Sequence, residues 1–184
     1  PLQAAGEYRK AIKLAPQDAK AHNRLASLLD KESTCDHLDE TSIRCKREVR
    51  YTIDLLKESI ASYEAVAALT QSGFAEEQGA NPRLTLSRAY FRLGALQHVE
   101  QGDDWAAFDA LNKALRAYPE GDHSRSYRFL GLALKRQGKT DAAIDAMRNA
   151  IAADPANAGL FHYHIDLGGL LDPARLSIAA SACS

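Results

Sequence analysis

The chain has 184 residues, 46% hydrophobic and 26% charged, which suits one packed domain and sets disorder aside as the starting expectation. Its net charge of -1 leaves no overall basic excess of the kind nucleic acid or an anionic membrane selects. No apolar run approaches the roughly 18 residues that a membrane span needs, and three cysteines are too few for a disulfide framework. A soluble protein of a reducing compartment is expected. Because the chain starts at Pro1 inside a helical pattern, a targeting signal is taken to be missing from it.

The first element, 1–16, carries Ala4-x3-Tyr8-x2-Ala11-x4-Pro16. Spacings of four, three and seven place these residues on one face of a helix, and proline ends it. A second helix follows with His22-x2-Leu25-Ala26-x2-Leu29. Residues 30–42 are polar and rich in capping types, so a loop is expected there, with Thr41 or Ser42 capping a long helix over 43–70. That helix contains a weaker copy of the first pattern, Ser59-x3-Tyr63-x2-Val66-x4-Gln71. Residues 72–82, with Gly73, Gly79 and Asn81-Pro82, read as another loop that ends at a helix start.

From 83 onward the pattern becomes regular. Residues 83–119 hold Tyr90-x2-Leu93-Gly94, with Gln97 where an apolar residue is expected, and then Ala107-x3-Leu111-x2-Ala114-x4-Pro119. Residues 122–155 hold Tyr127-x2-Leu130-Gly131-x2-Leu134 and Ala143-x3-Met147-x2-Ala150-x4-Pro155, displaced by 36 residues in the second pattern. Gly102 and Gly138 each stand five residues before the leading alanine, where a left-handed turn would join two helices. Phe161-x2-His164-Ile165 begins the pattern again, and Gly168-Gly169 and Asp172-Pro173 interrupt it, so 157–184 reads as a capping helix and tail. Strands are not expected anywhere.

These units resemble the tetratricopeptide repeat, whose pattern W-x2-L-G-x2-Y, A-x3-F, P recurs about every 34 residues. The likeness is strongest over 88–157, good over 4–29 and degraded at 59–71. The resemblance implies an all-α solenoid of antiparallel helix hairpins in a right-handed superhelix. Here it would have an insertion in the second repeat (19–71), and 1–16 would be the second helix of a truncated repeat.

Candidate chemistry is sparse. Gly138-Lys139-Thr140 lacks the glycine five residues earlier, where Ala133 stands, and no strand is expected before it, so it does not make a phosphate loop. Cys35, His37 and Cys45 lack metal-site spacing, and His162 and His164 point apart on a helix. No catalytic motif, metal site or cofactor site is read, and the chain is not expected to be an enzyme.

The constellation singled out is basic: Arg88 and Arg92 one turn apart on one first helix, and Arg125 and Arg128 on the next. The resemblance implies that first helices line a concave groove, where some members grip a partner's C-terminal carboxylate with a basic pair that Arg88 and Arg92 resemble. The family's clamp also takes Lys and Asn from earlier first helices, whereas the earlier one here offers Asn23, Arg24 and Ser27. The implied function is a non-catalytic scaffold for a protein or extended peptide, with an acidic segment as one expectation, bound by the groove or the insertion. A structural subunit of a larger assembly and the repeat region of a larger enzyme stand as alternatives. Nucleic acid and membrane insertion are not expected.

Overall fold

The computed structural model describes residues 2–33, 35–37, 43–45, 49–70, 81–154, 168 and 170. Its elements in chain order are α1 (Leu2–Leu14), α2 (Ala19–Glu32), β1 (Cys35–His37), β2 (Ile43–Cys45), α3 (Val49–Thr70), α4 (Pro82–Leu96), a π-helical turn (Gln97–Gln101), α5 (Asp104–Ala117), α6 (Ser124–Arg136) and α7 (Thr140–Ala153).

The helix starts are written in local chemistry. The Asp18 carboxylate accepts from the amides of Lys20 and Ala21 at 3.0 Å each and opens α2. Asn81 does the same for Arg83 and Leu84, with Pro82 as the first helical residue of α4. Asp103 accepts from Ala106 N at 3.0 Å to open α5. Each of these side chains satisfies amides that have no partner within the helix. Gly102 and Gly138 take the left-handed conformation, with φ of 65° and 75°, and no other described residue has positive φ. Only glycine enters that region without steric cost, so these two turns close α4 onto α5 and α6 onto α7.

Three hairpins, α2/α3, α4/α5 and α6/α7, stack in sequence order behind α1. The repeated faces make the core. Ala107, Leu111 and Ala114 on α5, and Ala143, Met147 and Ala150 on α7, are fully buried, and Ser59, Tyr63 and Val66 play the same part on α3. Each fully buried Leu or Met side chain contributes about 1.5–3 kcal/mol relative to exposure. Buried hydroxyls meet carbonyls between helices: Ser59 donates to Ala26 O at 3.0 Å, and Ser87 donates to Ala114 O at 2.8 Å. The first helices α4 and α6 also touch each other directly. Approach of alternate helices marks the inner side of the stack.

The solenoid of antiparallel helix hairpins is as expected, and the irregular region differs in detail. The helix α2 runs to Glu32, three residues into the expected loop. Residues 43–45 form a strand, not the start of a helix, and pair antiparallel with 35–37 in the register Cys35–Cys45, Asp36–Arg44, His37–Ile43. The long helix begins at Val49, so Thr41 and Ser42 precede a strand and do not cap it. Alternation of polar residues with single apolar ones over 43–45 is compatible with either element at three residues, and periodicity cannot separate them. The expected loop 72–82 lies outside the described residues up to position 80, and the expected capping helix 157–184 lies outside them except for residues 168 and 170. Leu170 is buried in the main core cluster.

Candidate functional site

The stack sorts its charge by layer. The first helices α2, α4 and α6 carry Lys20, Arg24, Lys31, Arg83, Arg88, Arg92, Arg125, Arg128, Lys135 and Arg136 against Asp30 and Glu32 alone, ten basic side chains to two acidic. The second helices α3, α5 and α7 carry Arg50, Lys57, Lys113, Arg116 and Arg148 against Asp54, Glu58, Glu64, Asp104, Asp109, Asp141 and Asp145, five to seven. One layer is therefore strongly electropositive in a chain of net charge -1. Such a surface raises the local concentration of anions and steers them on approach.

The four arginines singled out from the sequence are not equivalent. Arg88 and Arg125 are exposed, and Arg128 is half-buried. Arg92 is already engaged: its guanidinium donates to the Asp30 carboxylate on α2, 62 residues away in sequence, and the side chains of the pair are 21% and 28% exposed. Burial raises the Asp30 carboxyl above the usual value, and Arg92 and then Arg88 pull it back down. Arg125 follows Asp122, whose carboxylate accepts from Ser124 N at 3.0 Å; that bond above all holds the Asp122 carboxyl low, with a smaller contribution from Arg125. The basic pair read from the spacing thus holds one exposed arginine and one that is tied to an acid of the preceding repeat. Of the other residues noted on α2, Arg24 is exposed, and Ser27 hydrogen-bonds the phenol of Tyr63.

A second polar cluster, which sequence reading missed, lies where the α4/α5 hairpin meets α6. His98 in the π-turn places Nδ1 at 2.6 Å from Asp104 Oδ1. Arg136 Nε lies 2.9 Å from Asp104 Oδ2, and Arg136 Nη1 donates to His98 O at 3.1 Å. Gln137 Nε2 donates to Asp104 O at 2.9 Å. The imidazole is buried edge-on to Phe129, with centroids 6.0 Å apart. The cluster is sealed from solvent at its histidine and holds two repeats together. In the same first turn of α5, Trp105 is 65% exposed, and Lys139 Nζ stands 4.2 Å from its ring centroid.

Among the described residues no three His, Cys, Asp or Glu side chains gather as a metal site would need. No helix among them is long and apolar enough to cross a membrane.

A family model described as "Tetratricopeptide repeat" matches residues 124–157, which begin with α6, include the Gly138 turn and end just beyond α7. No curated protein matches the chain. Among solved structures, one titled "Crystal structure of MamA" is 20% identical, with a TM-score of 0.48, covering 91% of this chain and 74% of that one. "MamA RS-1 ArsTM double mutant" is 18% identical with a TM-score of 0.45, covering 86% and 68%. "Crystal structure of YrrB: a TPR protein with an unusual peptide-binding site" is 14% identical with a TM-score of 0.32, covering 97% and 99%. Residues 124–157 match the tetratricopeptide repeat, and the same order of helix, glycine turn and helix recurs at α4 and α5.

Proposed function

We propose that this chain is a non-catalytic interaction scaffold whose first-helix layer holds an acidic segment of a partner protein. Tetratricopeptide repeats serve protein–protein interaction in general, and repetition gives such stacks an extended surface. What carries the finer reading is the sorting of ten basic and two acidic side chains onto α2, α4 and α6. Arginine dominates that set, and its planar guanidinium stays charged and takes a carboxylate through two parallel hydrogen bonds. The acids interleaved at Asp30, Glu32 and Asp122 favour a ligand of discrete, spaced carboxylates over a continuous polyanion.

The test is fluorescence anisotropy with a fluorescein-labelled twelve-residue peptide of alternating Glu and Ser. Arg88→Glu combined with Arg125→Glu is expected to weaken binding by at least about tenfold, since each reversal replaces an attraction by a repulsion. Raising salt is expected to weaken the unaltered protein in the same direction. Salt-independent binding, or a double variant that binds as well as its parent, would reject the acidic-segment reading. A single-stranded oligonucleotide that binds more tightly than the peptide would replace it with a nucleic-acid one.

A further inference from the structure

The exposed arginine and the engaged arginine share one acid. Arg88 and Arg92 stand one turn apart on α4, and Asp30, from the last turn of α2, meets the second and feels the first. The chemical group that Asp30 presents to Arg92 is the one an acidic ligand would bring.

The surroundings do not make this a buried structural clasp. Both side chains keep between a fifth and a third of their surface in solvent, so an incoming carboxylate has access to the guanidinium. Asp30 is also poorly compensated, because the burial that disfavours its charge outweighs what Arg92 and Arg88 return. The only other acid on the three first helices, Glu32, lies at the end of α2.

We infer that Asp30 is a built-in competitor for the ligand: it occupies Arg92 in the empty protein, and an acidic segment must take that guanidinium from it. This deepens the acidic-segment reading and rests on it. The consequence is selectivity. A lone carboxylate, which gains one contact, does not offset the loss of the internal pair, whereas a segment with several spaced carboxylates engages Arg88 and Arg125 first and then exchanges with Asp30. The internal acid raises the threshold for binding without abolishing the site.

The experiment uses the same labelled Glu-Ser peptide and the intact chain. Asp30→Asn removes the competing charge while keeping the shape, and binding is expected to tighten by about three- to tenfold, the range set by a partly exposed ion pair. Loss of a nearby negative charge would itself attract an anion, so the decisive comparison is made without Arg92. In the Arg92→Gln background, Asp30→Asn is expected to change affinity by less than about twofold, because the group it releases is gone. An unchanged or weaker Asp30→Asn, or equal tightening in both backgrounds, overturns the inference.

A measurement on the unaltered protein covers the case in which Asp30→Asn does not fold. Saturation with the peptide is expected to shift the Arg92 side-chain Nε–H resonance as well as that of Arg88. A fixed Arg92 resonance beside a moving Arg88 overturns the inference. Absence of peptide binding in every version, the unaltered protein included, instead removes the acidic-segment reading beneath it.

Discussion

Gly94 on α4 lies directly against Leu111 on α5: a Cβ built on Gly94 would stand 2.7 Å from Leu111 Cγ and 3.2 Å from Ala107 O. The next hairpin repeats the approach, where a Cβ on Gly131 would stand 2.8 Å from Met147 Cε, 3.1 Å from Met147 Cγ and 3.2 Å from Ala143 O. The two sites differ in what must yield. The clashing atom of Met147 is the far end of an unbranched side chain, which can swing aside, whereas Leu111 meets the new methyl with its branch point.

Alanine in a helix interior gains about 1 kcal/mol over glycine, and overpacking a core costs about 1–3 kcal/mol. Gly94→Ala is therefore expected to lose about 1–2 kcal/mol net, or roughly 3–6 °C in melting midpoint, with Gly131→Ala closer to neutral. Paired circular-dichroism melts check this. A Gly131→Ala variant less stable than Gly94→Ala would contradict the packing argument.

The β1–β2 pair yields a second expectation from backbone register alone. Cys35 and Cys45 are paired residues on antiparallel strands. Directly opposed residues bring their Cα atoms to about 4.5–5.5 Å, inside the range that a disulfide spans. Mild oxidation is expected to join these two and leave Cys183 as the free thiol. Peptide mapping of the alkylated protein reads the outcome. A Cys183 disulfide, or both hairpin cysteines alkylated after oxidation, would count against the register.

Much of the fold is legible in the sequence because its determinants are local. Ala107, Leu111 and Ala114 repeat as Ala143, Met147 and Ala150, and all six are fully buried. Gly102 and Gly138 stand where a left-handed turn is needed, and both take it. Gln97 already broke the apolar pattern, and the π-turn begins at it.

The site was less legible. The Asp30–Arg92 pair depends on how α2 and α4 dock, which no spacing within either helix encodes. The charged layer was hidden for a related reason: basic first helices alternate with near-neutral second helices, so any running window averages them. At residues 43–45 a capping rule proposed a helix, and three polar and apolar residues are too few for periodicity to correct it.

The buried histidine predicts how stability responds to acid. Burial lowers the His98 basicity below its ordinary 6.5; the hydrogen bond to Asp104 opposes this, and the Arg136 charge adds to it. The unfolded chain therefore takes up the proton first as pH falls. His98 contributes stability that is fully present above about 6.5 and is lost as pH falls below that value toward the folded-state one, with a slope of at most about 1.4 kcal/mol per pH unit for one proton. His98→Asn keeps an amide nitrogen near the position of Nδ1 to donate to Asp104 but has no proton to gain. Its absolute stability is expected to be lower, and its loss of stability between pH 7 and pH 5 smaller than that of the parent. The difference between the two urea-denaturation series isolates this site. Arg136→Gln removes the neighbouring charge that depresses His98 and is expected to move the acid-induced loss in the same direction. Parallel pH profiles for the parent and His98→Asn would show that folding leaves the proton affinity of the imidazole unchanged, the hydrogen bond to Asp104 offsetting its burial.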